Sequence, residues 1–461
     1  MIIKRSLFCF FLLSLFVGCS HSPKNANDDL QLVSSFIHQG DAALASQWWE
    51  SFNSLKINQL ITQALANNYA LKASSLREKS TKLAISIAHS ARLPSVEFTA
   101  GSTANIEHFS KVNLANLGLA ASWEIDLWGE FEAHENRAFW QHQESIAANH
   151  LIANLVAGNT IDAWFSVLSA AEKQQVLLKQ HQRTNAALKV ISRRFAMGKN
   201  SVTNIWQQEK LVRSIEVKQS KNKAELYISK QRLQLWLAQS DELEFEFKTQ
   251  RMPKLPPLPK LGIPLIQLKD RPDIKQAFAK IKSADENLAI AMAEQLPRLT
   301  IRANYNTRKN NMADLFDDWA GNLLSSLVIP IFDSDKRSQV VEQRTLLLQA
   351  LIMEYKQVWL EAITAVNKSL VNENQLITVV NNLQLQLKLA QKTEQLTVIK
   401  YLNNKANFID LLNAQEDILA LELQRIDADK SLLLNRVLLY RELSHGNFTH
   451  DENQQLIGQG Q

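Results

Sequence analysis

Between Leu117 and Gly129, Leu117, Leu119, Ala121, Trp123, Ile125 and Leu127 alternate with Gly118, Ala120, Ser122, Glu124, Asp126 and Trp128. A strict period of two predicts a strand with one apolar face and one mostly polar face. Its length suits a tilted strand that crosses a bilayer as part of a barrel, and it is long for an ordinary edge strand. Upstream, Pro94 opens a second such strand, in which Val96, Phe98 and Ala100 alternate with Ser95, Glu97 and Thr99. Far downstream the pattern returns. Leu299, Ile301, Ala303 and Tyr305 share one face after Pro297, and Leu323, Ser325, Leu327, Ile329 and Ile331 share another.

Between these strands the period changes. Glu130 to Met197 contains no proline and a single glycine, Gly158, so a helix of ~100 Å is possible at 1.5 Å per residue. Gly198 interrupts it, and Lys199 to Met252 is again free of both residues. Ser334 to Leu402 and Lys405 to His445 repeat the arrangement. Leu348, Ile352, Tyr355, Trp359, Ala362 and Val366 advance by alternating fours and threes, as do Leu376, Val380, Leu383, Leu387 and Ala390. That spacing buries a seam against a neighbouring helix and imposes a left-handed supercoil. A shorter helix is expected over about 58–92 and another over 272–296. Five prolines crowd into Pro253 to Pro264, which predicts an extended, non-helical linker.

The chain therefore repeats itself. Pro94 maps to Pro297, Ile125 to Ile329 and Asn204 to Asp410, at offsets of 203, 204 and 206 residues. Three landmarks at nearly one offset describe a tandem duplication. The expected layout is a signal peptide over 1–18, a tether over 19–45 and a first repeat over 46–252. A Pro-rich linker over 253–271, a second repeat over 272–446 and a tail over 447–461 follow. The first repeat holds strands at about 94–106 and 117–128 and a helical hairpin at about 130–240. The second holds strands at about 297–306 and 321–332 and a hairpin at about 334–444. Four strands per chain are fewer than the eight of the smallest membrane barrels, so the chain must oligomerise to close one.

Composition narrows the class. The only cysteines, Cys9 and Cys19, lie in the first twenty residues, so the body has no disulfide framework. Lys4 and Arg5 precede an apolar run, Leu7 to Val17, which is built like a secretory signal. Net charge is +5, and the basic residues are interspersed with acids, which gives no nucleic-acid footprint.

Several motifs carry a family likeness: Trp48-Trp49 with Phe52, SWEIDLWG (Ser122–Gly129), RRFAMGKNSVTNIWQQE (Arg193–Glu209), RPDI (Arg271–Ile274), LPRL (Leu296–Leu299), PIFD (Pro330–Asp333) and YLNNKANFIDLLNAQ (Tyr401–Gln415). Over nearly all of 45–445 the chain resembles the outer membrane factor family, in its lipoprotein branch of TolC-like efflux channels. The resemblance implies a mainly α protein with a membrane β part. That fold is a trimeric 12-stranded β-barrel continued by a long α-helical periplasmic barrel, built from two tandem repeats. It also implies a homotrimer in the outer membrane, served by a periplasmic adaptor (membrane fusion) protein and an inner-membrane RND-type transporter.

The sequence Phe16-Val17-Gly18-Cys19-Ser20 resembles a bacterial lipoprotein signal. Cys19 is then the acylated, lipid-anchored residue, and Ser20 resembles the outer-membrane sorting preference. Gly198 and Asn404 stand where the helical hairpins of the family reverse, at the periplasmic tip. A left-handed residue is needed there, which glycine adopts freely and asparagine tolerates. Two turns depart from the family: Asn403-Asn404 stands where glycine is usual, and Ser334-Asp335 replaces a Gly-containing turn. Asp410 falls where the family places a lumenal carboxylate near the closed entrance, and three copies would form an acidic ring. Asn413 stands one helical turn on, where many relatives carry a second acid. An acid in the first turn of a helix is also favoured by the helix dipole alone.

Catalytic chemistry has no foothold in the pattern. His134, His142 and His150 are spaced by eight and drift around a helix. His134-Glu135 lacks the second histidine of a zinc protease motif, and there is no Gly-rich phosphate loop. We therefore expect no enzyme, no cofactor and no metal site. The expected function is an outer-membrane exit duct for small molecules. The alternatives are the outer-membrane component of a type I protein secretion system, and a coiled-coil scaffold lipoprotein without a pore.

Overall fold

The computed structural model describes residues 35–37, 40–42, 45, 47–107, 110–240, 251–262, 264–309 and 314–444. The segment expected as a signal, Cys19, most of the expected tether and the expected tail over 447–461 lie outside the described residues. The described chain separates into two compact units. One comprises 76–147 and 273–358, and the other comprises 35–75, 148–272 and 359–444.

After a single turn of 3-10 helix at Trp48–Phe52 come α1 (Leu55–Asn67), α2 (Tyr69–Ser90), β1 (Ser95–Glu107) and β2 (Ser110–Ile125). The long α3 (Glu130–Ala196) and α4 (Val202–Leu237) follow, then the short α5 (Pro264–Leu268) and α6 (Pro272–Ala293). The second set is β3 (Arg298–Lys309), β4 (Ala320–Val328), α7 (Lys336–Leu402) and α8 (Phe408–Leu443).

The first unit carries one antiparallel sheet in the order β1-β2-β3-β4. Its register pairs Ser95 with Ser122, Ile125 with Leu299 and Arg298 with Val328. Because side chains alternate across a strand, this register aligns all four apolar stripes on one face. Val96 and Phe98, Leu119 and Trp123, Ile301 and Tyr305, and Leu323 and Leu327 lie side by side there. Most of these large apolar residues are exposed. The opposite face carries Glu97, Glu124, Arg302 and Asn304. An apolar outer face and a polar inner face are the two surfaces of a membrane barrel.

Indole donors fasten the strand ends. Trp123 Nε1 donates to the Arg92 carbonyl at 3.0 Å, and Trp128 Nε1 donates to the Pro297 carbonyl at 2.7 Å. The end of α2 is tied to α3 by Arg92 Nη1, which donates to Glu135 Oε2 at 3.0 Å, while His89 Nδ1 lies 3.2 Å from the same carboxylate. The Arg92 hydrogen bond, against a smaller effect of desolvation and with help from His89, holds Glu135 below the usual carboxylate range.

The second unit has a dense core around the aromatic triplet picked out in the sequence. Trp48, Trp49 and Phe52 are buried with Phe165, Leu233, Leu433 and Tyr440. The Phe52 ring meets the rings of both Phe165 and Tyr440 edge-on, each at 5.8 Å. Trp48 Nε1 donates to Asn154 Oδ1 at 2.9 Å, which satisfies a polar atom that burial would otherwise leave unpaired. The heptad seam along α7 is buried at Trp359, Ala362 and Val366 in this unit, and at Leu348 and Tyr355 in the first.

Arg436, on α8 in the second unit, is almost completely buried. Its Nε and Nη2 donate to the two oxygens of Glu373 at 2.7 and 2.5 Å. Its Nη1 reaches the carbonyls of Pro256 and Pro257. One guanidinium thus fixes α7, α8 and the Pro-rich linker together, in the bidentate geometry that arginine alone provides.

Several expectations need correction. The helix expected over 58–92 is two helices, because the Asn68 side chain accepts from the N–H groups of Ala70 and Leu71 and starts α2 afresh. The linker is not wholly extended, since Pro264 opens the short α5, a position at which its missing N–H does no harm. β2 begins at Ser110, seven residues before Leu117, while Leu127 and Trp128 lie beyond its end. β4 stops at Val328, so Ile329 and Ile331 lie outside it.

The matching of Ile125 to Ile329 also changes. Gly129, the left-handed residue before α3, corresponds to Asp335 before α7 (φ 76° and 64°). The true offset along β4 and α7 is therefore 206, and Ile125 corresponds to Ile331. Ser334 and Asp335 are both left-handed, a conformation that costs a non-glycine residue about 1 kcal/mol or more. Asp333 supports this turn by accepting from the backbone N–H and from Nη1 of Arg337.

Candidate functional site at the helical turns

The ends of α3 and α7 close in the same way. Gly198 N–H donates to the Phe195 carbonyl at 2.8 Å, and Lys199 N–H donates to the Arg194 carbonyl at 2.8 Å. At the second turn Asn404 N–H donates to Tyr401 at 3.0 Å, and Lys405 N–H to Lys400 at 2.7 Å. Both are paired 5→2 and 6→1 closures that need a left-handed residue after the helix. Gly198 (φ 68°) and Asn404 (φ 57°) supply it.

The next helices start alike as well. Ser201 caps α4 by accepting from Thr203 N–H at 3.0 Å. Asn407 caps α8 in a reciprocal box in which Asp410 Oδ2 accepts from Asn407 N–H at 3.1 Å. Asp410 is thus a capping residue and is also exposed. Asn413, three residues on, is exposed too.

The two turns are locked to each other by residues that the periodicity did not single out. Arg194 Nη2 donates to Asn404 Oδ1 at 2.8 Å, and its guanidinium lies 5.0 Å from the centre of the Tyr401 ring. Asn200 Nδ2 donates to Tyr401 Oη at 2.8 Å, and Tyr401 Oη lies 3.1 Å from Asn200 Oδ1. Beneath them Leu177, Ile191, Leu211, Ile215, Phe408 and Leu411 form a small core with Tyr401. Arg194, Asn200 and Tyr401 do lie within the family-like stretches quoted above. Only their long-range pairing, across some two hundred residues, was hidden.

Among the described residues no cluster of three or more His, Cys, Asp or Glu side chains could hold a metal ion. The arrangement offers instead a polar, mechanically defined pair of turns, with exposed carboxamide and carboxylate groups just beyond them.

A four-stranded sheet with a lipid-type outer face, accompanied by two very long helical hairpins, defines an outer-membrane channel protein. The profile described as Outer membrane efflux protein matches residues 60–239 and 266–444. The chain belongs to the outer membrane efflux protein family, whose two matched segments are its tandem repeats. Among curated relatives it is 24% identical over 458 residues to the pyoverdine export outer membrane protein OpmQ of Pseudomonas aeruginosa, covering 93% of this chain and 94% of the relative. It is 21% identical over 454 residues to the cation efflux system protein CusC of Escherichia coli, covering 93% and 96%. Among solved structures, the outer-membrane channel OprN superposes with a TM-score of 0.84 at 19% identity, covering 92% of this chain and 99% of that one. The open state of the Neisseria gonorrhoeae MtrE channel superposes at 0.81 and 19% identity, covering 93% and 98%. The chain is thus an efflux channel protein of the outer membrane, and these relatives are channel and transport proteins.

Proposed function

We propose that the protein is the passive exit duct of a tripartite pump, carrying small molecules from an inner-membrane transporter to the outside. The observation that carries this is the sheet. Among the described residues it has four strands, an apolar outer face and two free edges, β1 and β4, in a chain of the outer membrane efflux protein family. Unpaired strand edges in lipid cost several kcal/mol per group, so three copies share one barrel. A periplasmic adaptor and an RND-type transporter are the partners. The names of OpmQ and CusC, which refer to pyoverdine export and cation efflux, support small solutes as the cargo class. Asp410 and Asn413 line the periplasmic entrance, just beyond the tip turns at Gly198 and Asn404. Cys19 carries the lipid anchor.

Purified in detergent, the protein is expected to have the native mass of a trimer and to conduct ions across planar bilayers. A monodisperse monomer that conducts, or a trimer that never does, would reject the shared duct. In the same preparations palmitate label should be present in wild type and absent from Cys19→Ser.

A further inference from the structure

The two repeats are related closely enough to determine how the free edges meet. β1 corresponds to β3 at an offset of 203 residues, since Pro94 maps to Pro297. β2 corresponds to β4 at 206, as the left-handed turns at Gly129 and Asp335 require. One register inside the chain checks this mapping. It carries the β1–β2 pair Ser95 with Ser122 onto Arg298 with Val328, which is the pair observed between β3 and β4.

The remaining junction, β2 to β3, joins the two repeats within one chain. Its counterpart is β4 to β1, and these two edges are unpaired among the described residues of the chain. We infer that β4 pairs antiparallel with β1 of a second copy, with Ile331 opposite Val96, Ile329 opposite Phe98 and Leu327 opposite Ala100. These are the images of Ile125 with Leu299, Trp123 with Ile301 and Ala121 with Ala303. Ile329–Phe98 keeps an aromatic against an aliphatic side chain, with the two edges exchanged.

The pairing also accounts for two residues left over in the single chain. Ile329 and Ile331 continue the alternation of β4 beyond its last internal partner, and Ile331 is 94% exposed. Pairing with a second copy extends β4 through them and places both on the apolar face beside Phe98 and Val96. A slip of one residue would turn every apolar side chain to the polar face. A slip of two would keep the faces and break the repeat relation.

This inference rests on the shared barrel proposed above, and its test separates the two. The native cysteines are confined to the first twenty residues, so introduced pairs report cleanly. Phe98→Cys/Ile329→Cys, oxidised in intact membranes, should give covalent trimers at least tenfold more efficiently than Phe98→Cys/Leu327→Cys or Phe98→Cys/Ile331→Cys. Higher yield from either shifted pair, in protein that is trimeric by native mass, overturns the register and leaves the shared barrel standing. A wild-type protein that is monomeric by native mass overturns both.

Discussion

Asp410 has one observed role and one proposed role. Its carboxylate closes the capping box of α8 through Asn407, and its exposed charge is the one proposed for the entrance. The two roles separate by substitution. Asp410→Asn retains an acceptor for the Asn407 N–H and removes the charge, whereas Asp410→Ala removes both. Ala should destabilise by roughly 1 kcal/mol, as loss of a helix cap does, and Asn by much less, read as shifts in denaturant midpoint. If the carboxylates form a ring, both variants should lose block by divalent cations added from the periplasmic side, most clearly at low salt. Undiminished block in both variants would reduce Asp410 to its capping role. Gly198 and Asn404 show a complementary economy, since residues of different type satisfy one backbone requirement.

At the scale of elements, polar ties supplement the apolar cores buried between the long helices. The tie between α2 and α3 is sensitive to pH. Glu135 titrates below its ordinary range in the folded protein because Arg92 and His89 stabilise its charged form. A carboxylate with a depressed pKa stabilises the fold above the unfolded value, and that contribution is lost as pH falls through the depressed one. Wild type should therefore melt slightly higher than Glu135→Gln at neutral pH. The two Tm values should converge as the pH drops below the carboxylate range. A gap that persists in strong acid would mean that the carboxylate's charge is not the source of the difference.

At the scale of the molecule, the connection between repeats depends on Arg436. It satisfies the Glu373 carboxylate and two linker carbonyls at once while almost completely buried. Removing one partner of a buried pair strands the other, at about 3–5 kcal/mol. Arg436→Met should therefore lower the unfolding free energy by about that much, measured in detergent by denaturant titration. The double variant Arg436→Met/Glu373→Leu should recover a good part of the loss, because no unpaired charge then remains buried. A single variant as stable as wild type would show that the Pro-rich linker is held by packing alone.

Local spacing along the chain sufficed for the elements and their duplication. Strand alternation and helical spacing are local properties, written every second or every third and fourth residue, and so were the left-handed turns at Gly198 and Asn404. The family likeness was legible in SWEIDLWG and RPDI for the same reason. What depends on partners far apart in the chain became visible in the folded molecule. The Asn68 break is the exception, a local bond to backbone N–H groups two and three residues on that the helical spacing does not record. The tie of Arg194 and Asn200 to Asn404 and Tyr401 joins two turns some two hundred residues apart. Strand register was invisible too, because a slip of two residues preserves every alternation of polar and apolar faces. The left-handed turns at Gly129 and Asp335 moved the image of Ile125 from Ile329 to Ile331, and the observed pairing of Arg298 with Val328 agrees with the move. Periodicity tells which face a residue takes, and hydrogen bonding between strands tells which neighbour it meets.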